Sequence, residues 1–450
     1  MNPPPESKPA PVPLTAQQAG KVAALRAMAA PEVWTERMLV ALVTGLKGNR
    51  WFRLIDKVYG WETLVAAWGK VESNAGGSGV DGITVERFEK TCHTGLLDLK
   101  EQLERSTLQP KPVKRVWIPK AGSSAKRPLG IPTVRDRIVQ TALRRVIEPI
   151  FEVTFAEHSY GFRPGRGCQD ALRRVQHLLD QGCTWVVDAD LKSYFDTIPH
   201  GRLMARVEER IADGRVLALI RSYLQQGVME GVRYDQARED GTPQGAVISP
   251  LLANVYLNPL DHLLAAEGCE MVRYADDFVI LCRSREQAEA ALVRVQTWVQ
   301  ENGLSLHPEK TRLVDAAQPG GFDFLGYHFE RGYRWPRKKS VDKLKTRIHE
   351  LTPRRTFGWS LEHGIAKLNE VLRGWYGYYR YSHWTTFQPL DGYVRGRLWS
   401  ILRARQRKCG RSRGRDHQQW PNHYFAKLGL FSLWSAHAEA LTSLRHGATH

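Results

Sequence analysis

Apolar positions recur at helical spacing along most of the chain and switch to two-residue alternation in a few short runs. Residues 33 to 70, including ERMLVALVTGLKGNRWFRLIDKVYG, read as helical, and a Gly-rich loop from Asn74 to Gly82 separates them from a further helical segment. Residues 113 to 119, VKRVWIP, alternate as a strand does, and a Gly-Ser turn at 122 to 124 followed by KRPLGIP completes a hairpin. From Arg135 to Phe151 the period is helical again. TWVVDADL, residues 184 to 191, reads as a strand ending on an acid, residues 200 to 225 as helical, and EGVRYDQARE as a hairpin. Ser249-Pro250 opens a long helix over 249 to 265, since proline suits the first helical turn. EMVRYADDFVILC, residues 270 to 282, reads as two strands around an acidic turn, 285 to 302 as an amphipathic helix, and FDFLGYHF, 322 to 329, as one strand. Beyond residue 340 the pattern is helical, so the class is α+β.

At 450 residues the chain exceeds one ordinary domain, and its 25% charged residues suit a globular protein. It has no run of eighteen apolar residues that would span a membrane. The start, MNPPPESKPAPVPLT, lacks a secretory pattern and reads as the beginning of a disordered Pro-rich tail over 1–32, which points to the cytoplasm. Six scattered cysteines without a C-x-x-C pair argue against a zinc site or a disulfide framework. Charge is unevenly placed: residues 331 to 450 hold 24 Lys or Arg and 7 Asp or Glu, a net of +17 out of +18 for the whole chain. A segment this basic calls for a polyanion, and nucleic acid is the usual one.

Two acidic places carry the chemistry. Asp190 closes VVDAD, and Asp276-Asp277 sit in a turn between apolar strands. Acids flanked by apolar strand residues are expensive unless a cation compensates them, and no Lys or Arg sits centrally in either run. Magnesium, which takes hard oxygen ligands, suits them better. Two such ions support in-line phosphoryl transfer. An Asp-Asp pair alone could equally be a simple hairpin turn; it is the ordered set of motifs that weighs against this.

Tyr274-Ala-Asp-Asp277 and Val187-Asp-Ala-Asp-Leu-Lys-Ser-Tyr-Phe-Asp-Thr-Ile198 resemble, in order, the acidic boxes of group II intron-encoded reverse transcriptases and maturases. The resemblance runs from about residue 70 to the C-terminus. It implies a right-hand polymerase whose fingers and palm (antiparallel sheet plus helices) precede an all-helical thumb. The implied bounds are fingers at 33–165, palm at 166–335, helical thumb or maturase domain at 336–408 and a basic nucleic-acid-binding segment at 409–450. It implies Asp190, Asp276 and Asp277 as catalytic acids, two magnesium ions held by these and Leu191, and Phe195 against the sugar. Lys120 and Arg127, flanking the Gly-Ser turn, would hold the triphosphate, although Lys126 adjoins Arg127 and the two can exchange roles. Gly241-Thr-Pro-Gln-Gly-Ala-Val-Ile-Ser-Pro250 matches the Pro-Gln-Gly box, with Gln244 bonding the base pair and Gly245 letting backbone approach it; Ala246 replaces a second glycine usual there. Lys310, in a segment similar to one near the leaving pyrophosphate, suits a general acid or a surface salt bridge. Phe195 would exclude a 2′-hydroxyl, though its surroundings also allow plain core packing.

Ser159-Tyr-Gly-Phe-Arg-Pro-Gly-Arg166 mixes rings, glycines and cations suited to an RNA strand, which puts Arg163 and Arg166 on the template. The stretch Leu368–Arg380 resembles the maturase domain; Trp375 and Tyr378 read as core, Arg373 and Arg380 as RNA contacts. No paired cysteines with downstream histidines follow, so no H-N-H nuclease is expected. The implied partners are group II intron RNA, an RNA template with a DNA primer, target DNA and deoxynucleoside triphosphates, with no membrane. The implied role is copying intron RNA into DNA together with splicing assistance and retrohoming. The alternatives are a splicing cofactor with little polymerase activity, or a domesticated or defence-associated relative.

Overall fold

The computed structural model describes residues 14–45, 50–119, 126–231, 233–235, 239–354, 358–408 and 414–447. Its strands are β1 (Val113–Pro119), β2 (Lys126–Ile131), β3 (Trp185–Asp190), β4 (Val228–Glu230), β5 (Arg233–Asp235), β6 (Glu270–Tyr274), β7 (Asp277–Cys282), β8 (Arg312–Asp315), β9 (Phe322–Phe324), β10 (Tyr327–Glu330) and β11 (Tyr333–Pro336). The chain packs as two compact units, one of Met1–Ala171, Ala189–Phe278 and Ala290–Thr311, the other of Leu172–Asp188, Val279–Glu289 and Arg312–His450.

In the first unit the helix Val134–Glu152 is the central post. Thr133 caps it by accepting the Asp136 N–H at 3.1 Å, and Val134, Ile138, Leu143, Val146 and Ile150 keep a continuous buried stripe through its five turns. The helix Trp61–Ser73 packs along it. A four-stranded sheet stands beside these helices in the order β2-β1-β4-β5. β1 and β2 pair antiparallel from Lys114–Ile131 to Pro119–Lys126, and the 228–235 hairpin joins through a short parallel contact between β1 and β4. The helix Ser249–Ala266 begins with proline in its first turn, as the Ser-Pro signal predicts, and is buried on nearly every face.

The second unit pairs β3 antiparallel with β8, matching Trp185 to Asp315 and Asp188 to Arg312. Its three-stranded meander runs β11-β10-β9. The helices Lys338–Leu351, Leu361–Tyr379, Phe387–Arg405 and Leu433–Gly447 surround a core that includes Ile348, Ile365, Leu368, Leu372, Phe387 and Leu398. The buried carboxylate of Asp391 caps the last of these, accepting from the N–H groups of Leu433 at 2.9 Å and Trp434 at 3.1 Å.

Two expectations change. The segment FDFLGYHF is two strands, not one, because Leu325 (φ 47°) and Gly326 (φ 84°) turn the chain back on itself and pair Tyr327 with Phe324. The tail also gives way to order before residue 32: Ala16–Met28 is a helix whose cap, Thr15, exchanges hydrogen bonds with Gln18 in a capping box. Among the described residues no helix is long and apolar enough to cross a membrane.

Candidate active site

All three acids lie in the first unit. Asp190 ends β3, Asp277 starts β7, and these strands are neighbours in one sheet. Asp276 lies in the tight turn between β6 and β7, where Ala275 takes a left-handed conformation (φ 62°) that a non-glycine residue adopts only at a cost.

That turn is braced from behind. The guanidinium of Arg273, fully buried at 0% exposure, donates to Asp261 at 2.7 Å, to the Asn254 side-chain oxygen at 2.9 Å and to the Ala275 carbonyl at 2.9 Å. Burial alone would lower its affinity for a proton, but the Asp261 carboxylate outweighs this and the pKa is raised. Asn254 in turn donates to the Gly161 carbonyl at 2.7 Å. Gly161 is pressed so close that an added Cβ would stand 2.2 Å from the Ala275 nitrogen, which forbids any side chain there without moving the turn. A basic residue therefore does sit in the acidic strand run, contrary to the expectation from sequence. Its fork, however, engages Asp261 rather than either catalytic acid.

The front of the site is charged. Lys310 forms an ion pair with Asp190, and the loop bearing it is fastened by the His307 N–H donating to the Asp190 carbonyl at 2.8 Å. Burial, then the negative charge of Asp190, hold the Asp276 carboxyl above its ordinary value, while its own backbone N–H, Arg127 and Lys310 pull it down. Tyr274 is pushed up to about 12 by a hydrogen bond with the Cys168 side chain and by burial. The Asp190 charge thus disfavours the ionised form of Asp276, and the cations Arg127 and Lys310 partly offset it. Hard oxygen donors in this arrangement fit a divalent ion of the magnesium type. Among the described residues no group of three or more His, Cys, Asp or Glu is assembled as a metal cluster.

The Pro-Gln-Gly loop is pinned on three sides. The Thr242 N–H donates to the Phe195 carbonyl at 2.6 Å, the Gly130 N–H to the Gln244 carbonyl at 2.6 Å, and the Val247 N–H to the buried Gln140 side chain at 2.8 Å. Gly245 (φ 108°) allows a close approach, as expected, but the group approached is β2: a Cβ there would meet the Gly130 carbonyl at 2.4 Å. Arg127 donates to the Gln244 side chain at 3.0 Å, so a phosphate-type cation and a base-type amide are already joined. A cavity of about 960 Å³ lies alongside, lined by Arg115, Trp117, Leu129, Asp196, Tyr234 and Gln244 among others, large enough for a nucleotide. Phe195 is buried, edge-on to Tyr194 at 5.5 Å and Phe162 at 6.4 Å. Lys120 lies outside the described residues.

The expected RNA contacts divide. The Arg163 side chain is 3% exposed; it forks onto Glu152 and donates to the carbonyls of Ala156 and Ser159, so it locks its own loop and has no face left for a template. Arg166 is half-buried over the Tyr160 ring at 5.7 Å and bonds the Glu157 carbonyl. Arg373 and Arg380, in the second unit, are exposed above the rings of Phe431 and Tyr381. Trp375 and Tyr378 are half-buried, as their reading as core anticipates. The Arg273–Asp261–Asn254 brace was not visible as a unit in sequence, since Arg273 lies on β6 and its two partners on the helix Ser249–Ala266.

Residues 118–329 match the family model described as reverse transcriptase (RNA-dependent DNA polymerase), and residues 341–420 match that of the group II intron, maturase-specific domain. Protein YkfC of Escherichia coli (strain K12) is 35% identical over 292 residues, which cover 56% of this chain and 76% of that protein. Group II intron-encoded protein LtrA of Lactococcus lactis subsp. cremoris is 39% identical over 181 residues, 40% of this chain and 28% of LtrA. A 91 kDa protein in the cob intron of Schizosaccharomyces pombe is 28% identical over 413 residues, 72% of this chain and 50% of that protein. The chain thus spans half or less of the length of these two intron proteins. Its polymerase match, its maturase-domain match and its likeness to YkfC agree, and the chain belongs to the reverse transcriptase family, in the branch that joins the polymerase to a group II intron maturase domain.

Proposed function

We propose that the chain copies group II intron RNA into DNA by two-metal nucleotidyl transfer, and holds the same RNA to assist splicing and retrohoming. The observation that carries this reading is the placement of Asp190, at the end of β3 and paired with Lys310, beside the acidic turn that bears Asp276. On this reading Asp190, Asp276, Asp277 and the main-chain oxygen of Leu191 hold two magnesium ions. When bound, the ions supply positive charge to the attacking and departing oxygens. Arg127 and Lys120 take the triphosphate, Gln244 meets the nascent base pair, and Phe195 lies under the sugar to exclude a 2′-hydroxyl. The primer 3′-hydroxyl gives its proton to water as its oxygen bonds to the α-phosphorus and the bond from that phosphorus to the bridge oxygen of the β-phosphate breaks. Lys310, released from Asp190, gives its proton to the departing pyrophosphate.

The polymerase parts are assigned as fingers at 33–165 and palm at 166–335, followed by a thumb or maturase domain at 336–408 and the basic segment at 409–450. RNA template with DNA primer, intron RNA, target DNA and deoxynucleoside triphosphates are the assigned partners, and the cytoplasm the assigned compartment. Primer extension on RNA with magnesium tests the reading. Wild type should extend, and Asp276→Ala should lose on the order of 10³-fold in rate. Equal incorporation by both defeats it. A wild type that aids splicing but does not extend primers leaves the splicing-cofactor reading in its place.

A further inference from the structure

The second unit carries a run of aromatic rings in mutual contact that the polymerase site does not use. On β11, Tyr333 and Trp335 stand 5.9 Å apart. The His383 ring meets Tyr333 at 4.8 Å and Trp335 at 5.5 Å. It also meets Trp384 at 5.4 Å, and Trp384 in turn meets Trp434 at 6.1 Å. Rings gathered like this are ordinarily core, yet Tyr333 is 55% and Trp384 49% exposed.

The array is rigid. The His383 N–H donates to the Arg334 carbonyl at 2.8 Å, the Arg334 side chain donates to the Tyr381 carbonyl at 3.0 Å, and the Trp335 indole donates to the Thr385 hydroxyl at 3.4 Å. These bonds tie the hairpin to the turn that follows the helix Leu361–Tyr379. Cations border them. Arg334 and Arg380 lie over the Tyr381 ring at 5.3 and 4.7 Å, and Arg331, Arg337, Lys338 and Lys339 are exposed in the same stretch. No Asp or Glu occurs between Arg331 and Val341 or between Val371 and Leu390.

Exposed rings beside a cation-rich stretch fit a polyanion that carries flat apolar faces, which is an unpaired stretch of nucleic acid. A protein partner would be met better by an apolar patch with a mixed-charge rim. The array lies outside the polymerase match, which ends at residue 329, and its Tyr381–Trp384 part lies inside the maturase-domain match at 341–420. We propose that Tyr333, Trp335, His383 and Trp384 are a stacking platform for unpaired bases of the structured RNA held by the maturase domain, separate from the template being copied. This rests on the intron-RNA reading above and names the surface and the part of the RNA that it grips.

The test uses the full-length protein, a hairpin RNA with a fluorescent purine in its unpaired loop, and a blunt RNA duplex of the same stem. Tyr333→Ala and Trp384→Ala should each weaken hairpin binding about tenfold and abolish the change in purine fluorescence. Tyr333→Phe and Trp384→Phe should bind as wild type does, since a ring of any kind stacks. Duplex binding and primer extension on a short unstructured RNA should stay unchanged in all four. Undiminished hairpin binding by the Ala variants overturns the platform, and so does an equal loss on the duplex or in extension, which would make the array a duplex or template grip. A wild type that neither binds RNA nor extends primers overturns the intron-RNA reading itself, and the platform with it.

Discussion

The two units use arginine in opposite ways. In the first, Arg163 and Arg273 are buried and answered by carboxylates, Glu152 and Asp261, so their charge is consumed in holding backbone. In the second, Arg403 makes one such pair with Asp416, but Arg373 and Arg380 lie exposed over aromatic rings. The regional charge foretells this difference better than local motifs do. The first 330 residues net only +1, so an arginine there is surrounded by potential acid partners, whereas the last 120 net +17 and leave most cations unanswered. Motif content pointed Arg163 at RNA; charge balance would have kept it inside.

Removing the guanidinium of Arg273 is the severest way to break the comparison. Arg273→Met leaves Asp261 buried without its partner and releases the Ala275 carbonyl, and should cost toward the upper end of about 3–5 kcal/mol in urea unfolding. Arg273→Lys, which restores charge but not the fork, should recover part of that stability while polymerisation stays slow at saturating nucleotide, because the acidic turn loses its brace. If Arg273→Lys extends primers at the wild-type rate, the brace does not position the turn.

The next contrast pairs Arg163 with Arg373. Arg163→Gln should destabilise the fold by about 3 kcal/mol, by leaving Glu152 unpaired, with RNA affinity unchanged in the protein that remains folded. Arg373→Gln should do the reverse. Its melting temperature should hold, while RNA affinity falls a few-fold and the salt dependence of binding loses about one unit of slope. Filter binding across a salt series reads both. A drop in RNA affinity for Arg163→Gln at unchanged stability would erase the distinction between the units.

Legibility in the sequence follows the range of the interaction. β1 is readable to the residue because VKRVWIP alternates at a period of two and the sequence after it is rich in glycine and serine. The Leu325-Gly326 turn was missed because it lacks the Asn or Asp that usually marks a tight hairpin, and apolar residues on both sides made one continuous run. The N-terminal helix was hidden by prolines that stop at Pro13, although Thr15 followed by Gln18 already spelled a capping box. At the site, the acids were legible as ordered motifs. Their support was not, because Arg273, Asp261, Asn254 and Gly161 become neighbours only when β6, the helix Ser249–Ala266 and the 159–166 loop fold together. A buried arginine next to an acidic turn could have prompted a search for its carboxylate, and Asp261, twelve residues earlier in the preceding helix, was within reach.

The smallest expected effect concerns Asp276, whose ionised form the first unit disfavours. Asp276 has a folded-state pKa above its unfolded one, chiefly from burial and secondarily from Asp190. Its favourable contribution is therefore complete below the unfolded carboxylate value and is lost as pH rises through the raised folded value. At pH 7, with chelator present, Asp276→Asn removes that cost and should raise Tm by about 2 °C. The gain should vanish in acid, below the ordinary carboxylate range, where both side chains are neutral. Added magnesium should raise the Tm of the wild type and leave that of Asp276→Asn nearly unmoved, since the ion binds a folded state that only the carboxylate completes. A lower Tm for Asp276→Asn in chelator would mean that Arg127 and Lys310 fully satisfy the carboxylate. The first unit would then pair its acids as completely as it pairs Arg163 and Arg273, and the acidic turn would hold no unmet charge for a metal to answer.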